Sequence, residues 1–89
     1  MNCYIITYDL KNSDANDYSE LFEAIKSYKT WAHINESVWA IVTEEKAKII
    51  RDFLKEKMDS EDSLFVVKSG TEAAWSNVLC KKEWLKNNL

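Results

Sequence analysis

Three observations predict an α+β fold in the order strand, helix, strand, strand, helix, strand. Short runs of β-branched and aromatic residues alternate with longer stretches whose apolar residues recur at helical spacing. The apolar run over residues 3–8 ends on a single carboxylate, Asp9, and passes straight into a polar loop. The composition is that of a packed domain: 46% of the 89 residues are apolar, among them four Trp, four Tyr and three Phe. A domain of this length has a modest core and a large surface for its volume, so it gains from any further burial available to it.

Residues 3–8 show no polar alternation, which predicts a central strand covered on both faces. The loop over residues 11–16 is Lys, Asn, Ser, Asp and Ala, turn chemistry without Gly or Pro. Asp17 with Glu20 three positions on fits a capped helix start, and Tyr18, Leu21, Phe22, Ile25 and Tyr28 then form one apolar stripe. Residues 30–34 and 37–42 read as the arms of a hairpin turning at Asn35 and Glu36. The second arm is nearly all apolar and suits the sheet interior, whereas Ala32, His33 and Asn35 suit an edge. Thr43 is expected to cap a second helix, with Glu44 and Glu45 in its first turn and Ala47, Ile50, Phe53, Leu54 and Met58 on its buried side. A polar stop over residues 59–63 precedes a short apolar strand over 64–67, bounded by Gly70, the only glycine.

Two strand–helix–strand units with right-handed crossovers give a ferredoxin-like βαββαβ domain over residues 1–69: a four-stranded antiparallel sheet with two helices on one face. Residues 70–89 form a tail, with a helix expected over 82–88. If both helices cover one face, the other face of so apolar a sheet is bare, more than a soluble monomer usually shows. The tail, through Trp75, Trp84, Leu85 and Leu89, and a second copy of the chain are the two covers available. A homodimer using both is the expectation, with Tyr8, Trp39, Trp75 and Trp84 at its interface.

The formal charge of −3 argues against a chain whose main task is to grip phosphates along a duplex, although a local basic face remains open. Lys46, Lys48, Arg51, Lys55 and Lys57 gather on the second helix, Asp14, Asp17, Glu20 and Glu23 on the first. Mixed solvated faces are the commoner meaning of such charge. Cys3 and Cys80 have no framework or cluster spacing and read as free thiols in a reducing cytoplasm. No stretch approaches the roughly 20 apolar residues of a membrane span, and no signal-peptide order opens the chain.

Asp9 is the lead site residue. An acid at the rim of a central strand has rigid footing below and solvent above, as a metal ligand or general base requires; capping of the following loop is its plainer role. A lone carboxylate makes a poor magnesium site, but two related by a molecular two-fold can share a hard cation. His33 is the sole histidine, so no histidine pair can be built within one chain. Ser37 satisfies a backbone group at the hairpin or touches phosphate, and the four tryptophans are packing residues before they are base-stacking ones. With no Gly-rich loop, a phosphate-cradling nucleotide site is excluded.

The first strand ending Tyr8-Asp9-Leu10, the hairpin element Asn35, Ser37, Val38 and Trp39, the Thr43-Glu44-Glu45 helix start and the Asp62-Ser63 entry to the last strand resemble the CRISPR-associated protein 2 family. The tryptophan-containing tail is similar to that of SinR-like small bacterial and phage proteins, and VapD-type ribonucleases are more distant by fold. The resemblance implies a ferredoxin-like homodimer in which the two Asp9 side chains face each other and bind magnesium. It also implies either a metal-dependent endonuclease or a structural adaptor in antiviral defence. Two functions follow as expectations. One is a phosphodiesterase on RNA or DNA that uses magnesium, or manganese in its place, with Asp9 as metal ligand, Tyr8 and Ser37 near the phosphate, and Lys46, Arg51 and Lys55 holding the strand. The other is a non-enzymatic dimeric adaptor or inhibitor with a protein partner in a defence, phage or toxin–antitoxin system.

Overall fold

A computed structural model describes residues 1–11 and 18–89 of the chain. Its elements are β1 (Asn2–Asp9), α1 (Ser19–Lys26), β2 (Thr30–Asn35), β3 (Val38–Thr43), α2 (Ala47–Lys55), β4 (Ser63–Lys68) and α3 (Lys82–Asn88). The strands form one antiparallel sheet in the order β2-β3-β1-β4, the ferredoxin-like arrangement, with β1 inside and β2 and β4 at the edges.

Strand alternation sorts the sheet into two faces. Tyr4, Ile6 and Tyr8 of β1 join Trp39 and Ile41 of β3 beneath Leu21 and Ile25 of α1 and Ile50 and Leu54 of α2. Leu21, Ile25, Ile41, Ile50 and Leu54 have no exposed surface, and each such side chain contributes about 1.5–3 kcal/mol by leaving water. The opposite face carries Cys3, Ile5, Ala40 and Val42, together with Ile34 from β2. Leu85 of α3 lies on it, flanked by Trp75, Val78, Trp84 and Leu89. The tail of the chain therefore covers its own sheet. Burial pushes the Cys3 thiol pKa up, partly opposed by its hydrogen bond with Ser69.

The second helix begins later than the sequence indicates. Thr43 stays in β3, paired with Asn2, and its hydroxyl accepts the Glu45 amide at 3.2 Å. The helix opens at Ala47, where the Lys46 carbonyl accepts the Ile49 and Ile50 amides, and its first turn holds no acid. Sheet pairing thus takes the threonine that local pattern assigns to the helix. Phe53, expected on the buried side, is 37% exposed because it packs edge-on against Tyr28 at the rim of the helical layer. The expected cap Asp17 lies outside the described residues, as does Asp14.

Candidate functional site at the end of the first strand

Asp9 is the last residue of β1 and pairs across the sheet with Ser63 of β4. Alternation puts it on the tail-side face with Thr7, Ser63 and Phe65, away from the helices. Its side chain is 67% exposed and accepts an ion-pair hydrogen bond from Lys11 Nζ at 3.0 Å. The tail stops short of this end of the face, where Phe65 is 61% exposed; further along β4, Val67 lines a cleft with Trp75, Leu85 and Leu89 of the tail. The result is a shallow depression lined by Thr7, Asp9, Ser63 and Phe65, where a carboxylate stands beside uncovered apolar surface.

The loop behind Asp9 is tied down by Asp62, just before β4. One of its carboxylate oxygens accepts the Lys11 amide at 2.8 Å; the other accepts the Tyr18 hydroxyl and the Asp59 amide, each at 2.9 Å. Burial acts to raise the Asp62 pKa, but these hydrogen bonds and the Lys11 charge outweigh it and hold the carboxyl below its ordinary value. Asp62 thus ties the strand-end loop to the start of β4 across 51 positions of sequence.

Tyr8 points the other way. Its ring is buried beneath the helices, its hydroxyl accepts Trp39 Nε1–H at 2.9 Å and donates to the Glu36 carbonyl at 3.3 Å. Burial raises its pKa first of all, the Trp39 bond lowers it and the Glu36 charge adds to the rise. Trp39 is 3% exposed and stacks on His33 at 4.0 Å and on Phe22 at 6.0 Å. Tyr8 and Trp39, expected at a subunit interface, therefore use their surfaces inside the chain, because the parity of both strands turns them under α1 and α2. Trp75 and Trp84 are half-buried in the tail layer over the sheet. Ser37 is near the rim of β1, where its carbonyl accepts the Tyr8 amide at 3.2 Å. Lys46, Arg51 and Lys55 are exposed on or beside α2, across the sheet from Asp9, and Arg51 pairs with neighbouring Asp52 at 2.8 Å. The structure thus groups Asp9 with Lys11, Ser63 and Phe65, with Ser37 at the same rim, and separates it from the Tyr8 hydroxyl and the cations of α2.

Among the described residues no group of three His, Cys, Asp or Glu side chains is placed to hold a metal ion. The donor set of one chain is a single carboxylate, incomplete for a hard cation that takes six or more oxygens. Two copies would be needed to bring two carboxylates to one ion.

Fold and site define a class: a small ferredoxin-like protein with a carboxylate at the rim of a central strand, on the sheet face that the first two helices leave free. The family model for CRISPR associated protein Cas2 matches residues 1–77, and the chain belongs to that family. No curated protein matches it. Residues 78–89, including α3, lie beyond the matched stretch. No described helix is long and apolar enough to cross a membrane.

Proposed function

We propose that the protein acts as a homodimer that cleaves RNA or DNA phosphodiesters, with the Asp9 carboxylates of two copies holding one magnesium or manganese ion. The observation that carries this reading is the position of Asp9: solvent-facing, at a strand end, next to the apolar surface of Phe65 that a second copy would cover. Membership of the Cas2 family supports it. A hard cation bound there supplies positive charge to phosphate oxygens and acidifies a bound water. Lys11 is no obstacle, since an exposed pair of this kind contributes only about 0.2–1 kcal/mol and a divalent ion can displace it. Ser37 stands at the same rim to donate to a phosphate oxygen. Tyr8 acts as a positioning residue, fixing the strand end through Trp39 and Glu36. Lys46, Arg51 and Lys55 would hold substrate only at a distance, from the helical side.

The second reading, a dimeric adaptor or inhibitor without catalysis, draws on the formal charge of −3 and on the lysine already paired with Asp9. The deciding experiment is cleavage of labelled single-stranded RNA and duplex DNA by wild type and Asp9→Ala, with magnesium, manganese or chelator, after light scattering shows both to be dimers. Metal-dependent cleavage lost in Asp9→Ala supports the phosphodiesterase. No cleavage by a folded dimer under any condition favours the adaptor, in which Asp9→Ala is silent and changes at exposed acids weaken partner capture.

A further inference from the structure

Edge strand β2 carries a second constellation, remote from Asp9 in the strand order. Trp31 is 38% exposed, and its ring is 5.7 Å from that of Trp39, which is itself stacked on His33. Lys26, at the end of α1, holds its Nζ 5.5 Å from the centre of the Trp31 ring and 5.9 Å from that of Trp39. An aromatic array anchored in the core thus reaches the surface at Trp31 with a cation held over it.

The same edge opens on its other side into a cleft of about 370 Å³, lined by Trp31, His33, Leu79, Lys81 and Trp84 and by no acidic side chain. The Leu79 amide donates to the Ile34 carbonyl at 2.9 Å, which pins this part of the tail to β2 and keeps Lys81 and Trp84 beside Trp31. Among the described residues neither Lys26 nor Lys81 makes an ion pair. Lys29 and Lys82 add charge of the same sign in the adjoining segments. In a chain of net charge −3, this edge gathers unpaired cations around exposed indole. That combination suits a ligand with flat aromatic rings strung on a negatively charged backbone.

We propose that the β2 edge is a binding site for single-stranded nucleic acid, in which a base stacks on Trp31, a neighbouring base enters the cleft toward Trp84, and the intervening phosphates meet Lys26 and Lys81. An apolar peptide would use the tryptophans and leave the lysines without a role; a duplex keeps its bases stacked within and cannot use the indole. The site needs neither Asp9 nor a divalent ion, so it stands or falls independently of the phosphodiesterase reading.

The test is fluorescence anisotropy with an end-labelled thymidine oligomer of about ten nucleotides, within the ~4–16 that such sites cover, in chelator and at several salt concentrations. Wild type and Asp9→Ala should bind alike, and more tightly than they bind a duplex of the same length. Trp31→Ala should weaken binding about 5- to 150-fold, the range of one lost base stack, while Trp31→Phe keeps most of the affinity. Lys26→Gln should flatten the dependence of log affinity on log salt by about 0.7, one phosphate contact to a single strand. Circular dichroism checks the fold of each variant, and the exposed change Lys26→Gln decides the matter should Trp31→Ala fail to fold. The proposal is overturned if wild type does not bind, if the duplex binds as well as the single strand, or if folded Trp31→Ala binds like wild type. It is equally overturned if Lys26→Gln leaves the salt dependence unchanged, or if binding is lost only when Lys46, Arg51 and Lys55 are neutralised together.

Discussion

Tyr28 shows how burial and one charged neighbour together set a residue's chemistry. Burial, the nearby charge of Glu45 and a 3.3 Å hydrogen bond to its carboxylate together push the Tyr28 pKa up to about 12. Because the folded value lies above the unfolded one, the contribution of this tyrosine to stability is complete below about pH 10 and is lost as pH rises towards 12. Glu45→Gln should bring the titration down, read as tyrosinate absorbance appearing at lower pH. Asp62 works in the opposite sense. Its folded pKa is depressed, so its contribution is present above about pH 4 and disappears as pH falls through the folded value. Asp62→Asn replaces an acceptor oxygen with a donor among three donors and should cost about 1–2 kcal/mol in urea unfolding at neutral pH, with a smaller difference from wild type in acid. Asp9 could be picked out from sequence because a carboxylate ending an apolar run stands out. Asp62 could be read only as part of a short motif, since its partners Lys11 and Tyr18 are 51 and 44 positions away. Nor did the sequence reveal which of the two neighbours, Tyr8 or Asp9, takes the face beneath the helices. A strand covered on both faces has no polar alternation from which to read its parity.

Among the elements, α3 was legible to its ends: expected over 82–88, it forms there, with Leu85 turned inward. Leu85 has 1% of its surface exposed, so Leu85→Ala should cost about 2–5 kcal/mol in chemical denaturation, through lost transfer energy and the cavity left behind. The edge assignment of β2 and the interior assignment of β3 also hold, because polar residues interrupt one arm and spare the other. The start of α2 was misread, since Thr43 serves a strand whose partner, Asn2, lies at the far end of the chain. Cap propensity is local and pairing is not. In β4, Phe65 and Val67 alternate with Leu64 and Val66, so half of an apolar strand remains outside the core.

At the scale of the molecule, element order and crossover handedness were enough to give the sheet topology, and the need to cover a second apolar face pointed to the tail. How much of that face the tail would cover was beyond sequence, because it depends on where α3 sits: over β1 and β3, short of Phe65. The proposed homodimer predicts that Phe65→Asp halves the mass seen by light scattering, to the 10.4 kDa of one chain, while circular dichroism stays unchanged. A dimer indifferent to this change would place the subunit contact elsewhere. The strand order has a consequence in time. β1 emerges from the ribosome first, yet both of its neighbours are encoded later, β3 at Val38–Thr43 and β4 at Ser63–Lys68. This inner strand therefore waits with both edges unpaired until β3 has been made, and with one edge open until β4 follows, an interval in which nascent chains are prone to stick to one another. Slow translation between β1 and β4 should thus lower the soluble yield of this protein, and rapid delivery of β4 should raise it.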